Sequence, residues 1–145
     1  MLPLIDEHAV AVAAGAAGVW RALLTTVDRR GGGAFARLIG CEPASAGGPR
    51  PLTEGSTIPG FRVIRARPSH ELGLEGRHRF STYALTFTID ELDTDRARLR
   101  AESRASFPGP HGQAYRLIVI RSGGHVLAVR ALLSAIQNAA GRGRN

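Results

Sequence analysis

Lysine is absent from this chain, whose 19 basic residues are all arginine. They are also unevenly spread: residues 1–95 hold 10 arginines and 11 acids, net −1, whereas residues 96–145 hold 9 arginines against Glu102 alone, net +8. The formal charge of +7 therefore belongs to the last third. Such an asymmetry suits either a solubilising surface or an acidic partner such as nucleic acid, anionic lipid or an acidic protein face. Cysteine occurs once, at Cys41, which excludes an intrachain disulfide and a cysteine-rich metal centre. His8, His70, His78, His111 and His125 include no closely spaced pair of the kind helical zinc sites use, so neither a metal nor another cofactor is expected. No apolar run reaches the ~18 residues of a membrane-spanning helix. Met1 to His8 is acidic and lacks the basic region of a secretory leader, so the expected location is the cytoplasm. Nucleophilic catalysis has no local motif either. No Gly-x-Ser-x-Gly elbow occurs, and Cys41 precedes Glu42, a neighbour that disfavours the thiolate. Gly31-Gly32-Gly33 lacks the following Lys-Ser/Thr of a phosphate loop and reads as a turn.

What is present points to one packed domain. At 145 residues the chain has the length of a single domain, expected to span 1–145, and Leu, Ile, Val and Phe supply about a quarter of it, enough for a core. No period of 20 to 50 residues repeats, which excludes a solenoid or propeller. Ile5 to Ala13 alternates, with His8, Val10 and Val12 on one face, and predicts an opening strand. Near Gly15 the period changes to about 3.6, and Ala16, Val19, Trp20, Leu23 and Val27 predict a helix ended by Asp28 to Gly33. Ala34 to Ile39 fits a further helical turn or two. Residues 41–57 carry three prolines and three glycines, the composition of a flexible loop. Beyond it, Ile58 to Arg67, His70 to Gly76, Arg79 to Glu91 and Arg96 to Phe107 predict an antiparallel meander.

Parity sorts the strand faces. Tyr83, Leu85, Phe87 and Ile89 share one side of their strand, with Thr82, Thr86 and Thr88 opposite. In the last strand Ala97, Leu99, Ala101, Ser103, Ala105 and Phe107 point one way, and Arg96, Arg98, Arg100, Glu102 and Arg104 the other. The inward set is mostly small, leaving room for a helix or a ligand. Gly112 to Ala140 then predicts one long amphipathic helix. Tyr115, Ile118, Ser122, Val126, Val129, Leu133, Ile136 and Ala140 lie on one face, with a kink expected at Gly123-Gly124. Pro108 and Pro110 mark its start and Gly141 its end.

The order of strand, helix pair, antiparallel strands and long C-terminal helix resembles the START-like or SRPBCC helix-grip superfamily. Val10-Ala11-Val12-Ala13-Ala14 followed by Val19-Trp20 and Leu23 resembles the opening of its bacterial polyketide cyclase/dehydratase branch. So do Glu71-Leu72-Gly73-Leu74-Glu75-Gly76-Arg77-His78-Arg79-Phe80 with Tyr83-Ala84-Leu85-Thr86-Phe87, and Arg98-Leu99 through Phe107-Pro108-Gly109 to Tyr115 and His125. The likeness spans nearly the whole chain; it departs after the first strand, where Gly15 and Ala16 stand in place of the branch's usual proline. It implies an α+β helix-grip fold, with a curved antiparallel sheet wrapped around the C-terminal helix. It implies a cup for a small molecule rather than a particular reaction.

The expected cup binds a small hydrophobic ligand, lipid or polyketide-like, through Trp20, Phe61, Leu74, Tyr83, Leu85, Phe87, Ser103, Tyr115, Ile118, Ser122 and His125. Each has a plainer reading: Trp20 and Phe87 as core, Tyr83 and Tyr115 as packed phenols with one hydrogen bond, His125 as a structural donor. If a reaction occurs, Tyr83, Tyr115 or His125 supplies acid or base help to a metal-free cyclase or dehydratase chemistry. A different class of function rests on the ladder Arg96, Arg98, Arg100 and Arg104, whose alternate positions fall roughly 6.5 to 7 Å apart and could dock on RNA, a ribosome or an acidic protein. No aromatic alternates with these arginines for base stacking, and pairing with Glu71, Glu75 and Asp90 is the expected alternative. A homodimer through Ile120 and Leu127, on the otherwise polar helix side, is the third reading.

Overall fold

A computed structural model of the chain describes residues 2–30, 46–78, 81–107, 109–114 and 124–142. Within them run β1 (Leu4–Val12), α1 (Ala16–Arg30), β2 (Thr57–Ile58), β3 (Phe61–Arg67), β4 (Glu71–His78), β5 (Ser81–Asp93), β6 (Arg96–Ser106) and the C-terminal helix α2 (Gly124–Arg142). Residues 109–114 are also helical. The strands form one antiparallel sheet in the order β1-β6-β5-β4-β3-β2, so the opening strand closes beside the last one and the meander fans out from there. Register shifts at Leu4/Asp6, Val63/Arg65 and Glu91/Asp93 insert extra residues, and such bulges increase twist and bend a sheet. The result is the curved sheet and C-terminal helix expected from the sequence.

The alternation read in the strands holds over Glu7–Val12 of β1, Leu85–Ile89 of β5 and Arg96–Ala105 of β6. Leu85, Phe87 and Ile89 of β5 and Ala97, Leu99, Ala101, Ser103 and Ala105 of β6 are buried, while Arg96 and Arg98 are exposed. On α1, Val19, Trp20, Leu23 and Val27 join this core, and the Gly15 carbonyl accepts the first helical hydrogen bond from Val19 N–H at 3.0 Å. Gly15 is also a point of close approach between the start of α1 and the sheet. A Cβ there would lie 2.5 Å from the Thr94 carbonyl oxygen in the β5–β6 turn, which accounts for glycine at this position. Helix α2 packs on α1 and along β1 and reaches β6, burying Val129, Leu133, Ile136 and Ala140 at helical spacing and exposing Arg130, Ser134 and Asn138. Gln137 Nε2 donates to the Ala11 carbonyl of β1, the edge strand, at 2.6 Å.

Four expectations meet a different structure or fall, in whole or in part, outside the described residues. Ile58 to Arg67, read as one strand, is split into β2 and β3, because Pro59-Gly60 makes a tight turn with Gly60 at φ 92° and Ile58 pairs back onto Phe61. Residues 46–57, where composition predicts a flexible loop, carry a hydrogen-bond framework of their own. Gly47 and Thr57 exchange backbone bonds of 3.1 and 2.8 Å, and the Arg50 guanidinium donates to both of their carbonyls and pairs with Asp28 of α1 at 3.0 Å. Leu52, Ser56 and Ile58 are buried beneath it. In the long C-terminal helix, 109–114 and Gly124–Arg142 are helical, with Gly124 at the head of α2 and the helix running one residue past Gly141. The expected kink at Gly123, the turns at 34–39 and the loop residues 41–45 lie outside the described residues.

Candidate functional site

The inner face of the sheet is a composite of five strands. It presents Asp6, His8, Val10 and Val12 from β1, then Ala101, Ser103 and Ala105 from β6. Tyr83, Leu85 and Phe87 follow from β5, Leu72, Leu74 and Gly76 from β4, and Phe61, Val63 and Ala66 from β3. Of the residues expected to line a cup, Leu74, Leu85, Phe87 and Ser103 are thus brought to one buried surface, and Phe61 and Tyr83 stand half-buried on the same face. Trp20 is buried on α1 within the same core cluster. Tyr115, Ile118 and Ser122 lie outside the described residues, as do Ile120 of the dimer reading and Cys41; His125 falls in the first turn of α2.

Tyr83 has a structural commitment. Its hydroxyl donates to the Gly60 carbonyl at 2.7 Å, and its ring meets Phe61 edge-on, with centroids 5.2 Å apart at 74°. Directly across the β4–β5 ladder is Gly76, where a Cβ would stand 2.0 Å from the Gly60 oxygen and 2.6 Å from the Tyr83 ring. Phenol, turn carbonyl and glycine therefore form one closed corner. So bound, the hydroxyl is a strut between the Pro59-Gly60 turn and β5.

Ser103 is the opposite case. It is 4% exposed, and among the described residues its Oγ has no hydrogen-bond partner. A buried hydroxyl left unpaired costs about 1–3 kcal/mol unless a ligand group or an ordered water satisfies it. Its neighbours along β6, Ala101 and Ala105, offer only methyl groups, while across the ladders it faces Asp6 on one side and Leu85 on the other. Asp6 Oδ2 lies 3.3 Å from His8 Nε2, each side chain being about one-fifth exposed. Sequence reasoning placed His8 on this face but passed over Asp6. The signal was available, since Asp6 shares the parity of His8, Val10 and Val12.

The outer face carries the arginine ladder, and carboxylates cover much of it. Arg100 pairs with Asp90 at 2.7 Å and Glu7 at 3.6 Å, Arg96 with Asp93 at 2.8 Å, and Arg104 with Glu102. Asp90 was expected. Glu71, however, pairs with Arg65 across β3 and β4 at 2.6 Å, so the ladder's other partners are Glu7, Asp93 and Glu102. Hydrogen bonding to Asp90 raises the Arg100 pKa further above its ordinary range, and Glu71 does the same for Arg65. Among the described residues there is no group of three or more His, Cys, Asp or Glu side chains placed to hold a metal, and no helix is long and apolar enough to cross a membrane.

No family model and no curated protein matches this chain. Solved structures do. The chain is similar to a norcoclaurine synthase point mutant from Thalictrum flavum in complex with a transition-state analogue, at 13% identity, with 100% of both chains covered and a TM-score of 0.58. It is similar to the Zhui aromatase/cyclase from Streptomyces sp. R1128, at 16% identity over 100% of this chain and 97% of that one, TM-score 0.57. The Aha1 dimer from Colwellia psychrerythraea matches at 14% identity over 96% and 97%, TM-score 0.57. At such identities the likeness is one of fold. The chain has the helix-grip fold. Two enzymes and an Aha1 dimer share that fold, so the site and not the fold must carry the functional reading.

Proposed function

We propose that this protein binds a small apolar molecule, lipid or polyketide-like, between the inner face of its sheet and its C-terminal helix. The observation that carries this reading is the small-residue row of β6, Ala101, Ser103 and Ala105, set among the larger Leu85, Phe87 and Leu99, with an unpaired hydroxyl at its centre. Small groups beside large ones on a concave surface leave volume for a guest. Affinity would come chiefly from apolar area removed from water, at roughly 25 cal/mol per Å². The norcoclaurine synthase structure, solved with a transition-state analogue, supports the reading to the extent that a chain of this fold holds a small organic molecule. In this reading all of residues 1–145 serve one cytoplasmic binding domain. The carboxylates on Arg96, Arg100 and Arg104 favour it over docking on nucleic acid, since a paired guanidinium must give up its partner to meet a phosphate.

Native mass spectrometry of the freshly purified protein, with melting followed in parallel, tests the proposal. The expected result is a copurified small molecule released on denaturation, and a melting temperature that added 2-naphthol raises equally at 0.15 M and 1 M salt. A bare protein mass, no shift with 2-naphthol, and tight salt-sensitive binding to an RNA oligonucleotide would overturn it.

A further inference from the structure

The proposed site has a polar end, and its chemistry narrows the ligand class. Asp6 stands directly opposite Ser103 in the β1–β6 ladder and His8 opposite Ala101, which makes His8 and Ser103 diagonal neighbours on the inner face. Diagonal positions in an antiparallel pair are about 7–8 Å apart, a gap that one bridging atom closes when both side chains lean toward it. The imidazole is held by Asp6 through Nε2, and among the described residues Nδ1 meets no hydrogen-bond partner. In the neutral ring, Nε2–H donates to the carboxylate and Nδ1 presents a lone pair. At the diagonal position the Ser103 hydroxyl is buried and has both a proton to give and lone pairs to offer.

Resting on the binding reading above, we propose that Ser103 and His8, the latter positioned by Asp6, recognise a single hydroxyl, phenolic or alcoholic, on an otherwise apolar ligand. The ligand oxygen accepts from Ser103 Oγ–H and its proton is donated to His8 Nδ1. Both protein groups are then satisfied by one atom. A ligand carboxylate fits poorly because the Asp6 carboxylate occupies the same edge, and a ligand ammonium would compete with His8 for that carboxylate. A neutral hydroxyl brings no charge into the site.

The test uses a matched pair of probes, 2-naphthol and 2-methylnaphthalene, which differ by hydroxyl against methyl, each titrated by displacement of anilinonaphthalene sulfonate. The wild-type protein is expected to prefer 2-naphthol by about tenfold. Ser103→Ala should weaken 2-naphthol about five- to tenfold and leave 2-methylnaphthalene within about twofold, and His8→Leu should act in the same direction. Because the serine hydroxyl has no partner among the described residues, Ser103→Ala without ligand should melt at or above the wild-type temperature. Equal binding of the two probes, or equal loss of both in Ser103→Ala, overturns the hydroxyl anchor while leaving an apolar site in place. A fall in the melting temperature of ligand-free Ser103→Ala also overturns it, by showing that a trapped water already satisfies the hydroxyl. Binding of neither probe, by displacement or by melting shift, overturns the binding reading itself.

Discussion

At Gly76 a hydrogen atom stands where any other residue would drive a carbon into the Gly60 carbonyl and the Tyr83 ring. Two substitutions separate the parts of that corner. Tyr83→Phe keeps the ring against Phe61 but leaves the Gly60 carbonyl without its donor, a loss of about 1 kcal/mol and a few degrees of melting temperature. Gly76→Ala forces backbone to move and should cost more, about 1–3 kcal/mol or greater. Denaturant unfolding measures both, and equal, negligible losses would contradict the strut assigned to Tyr83. The residue scale is also where the sequence was least explicit. Alternation puts Tyr83 on the inner face but says nothing of its hydroxyl, because the acceptor, Gly60, is 23 positions away on a turn whose placement depends on the β2–β3 and β4–β5 pairings. Ser103 is recognisable as inward from parity, whereas its lack of a partner emerges only once Asp6 is seen turned to His8.

Between β5 and β6 the chain turns through Asp93 to Arg96, and Asp93 organises the turn. Its Oδ1 accepts the Asp95 N–H at 2.9 Å and its Oδ2 accepts Arg96 Nε at 2.8 Å. The Asp95 amide first, and the Arg96 guanidinium second, lower the Asp93 pKa below its ordinary value. A carboxylate depressed in the folded state contributes stability that is present above the unfolded pKa, about 3.9, and lost as pH falls through the lower folded value. NMR titration should therefore place Asp93 below that value. The stability gap between wild type and Asp93→Asn should be present at pH 6 and close on acidification through the carboxylate range; a gap independent of pH would contradict the assignment. The stretches of β1, β5 and β6 that alternate were legible because one buried face enforces period 2. β3 was less so. The register shift between Val63 and Arg65 moves the inner set from Phe61 and Val63 to Ala66, and nothing in a single strand's pattern announces a bulge. The Pro59-Gly60 turn did have a signal, a dipeptide suited to a tight turn, inside a run otherwise rich in strand formers. Ion pairs across strands depend on register in the same way, which is why Asp90 was identified as a ladder partner and Glu7 was not.

For the whole molecule, the order of elements was readable from switches between period 2 and period 3.6, and the resemblance of that order to the helix-grip superfamily implied the architecture that the structure has. The segment before β2 was read from its composition as a flexible loop, and three prolines and three glycines do not announce the burial of Leu52 and Ser56 or the clamp made by Arg50. The arrangement that follows has a polar, carboxylate-paired outer face, an apolar inner face, and a helix seated on α1 and β1. Its central claim is spatial: a small molecule enters on the inner face. Methyl NMR of the wild-type protein during titration with 2-naphthol reads that location directly. The account predicts shifts concentrated at Val10, Leu74 and Leu85, with Leu4, Ile64 and Leu92, which are exposed, unmoved. Shifts confined to Leu4, Ile64 and Leu92, or none up to the solubility limit of the probe, would contradict it.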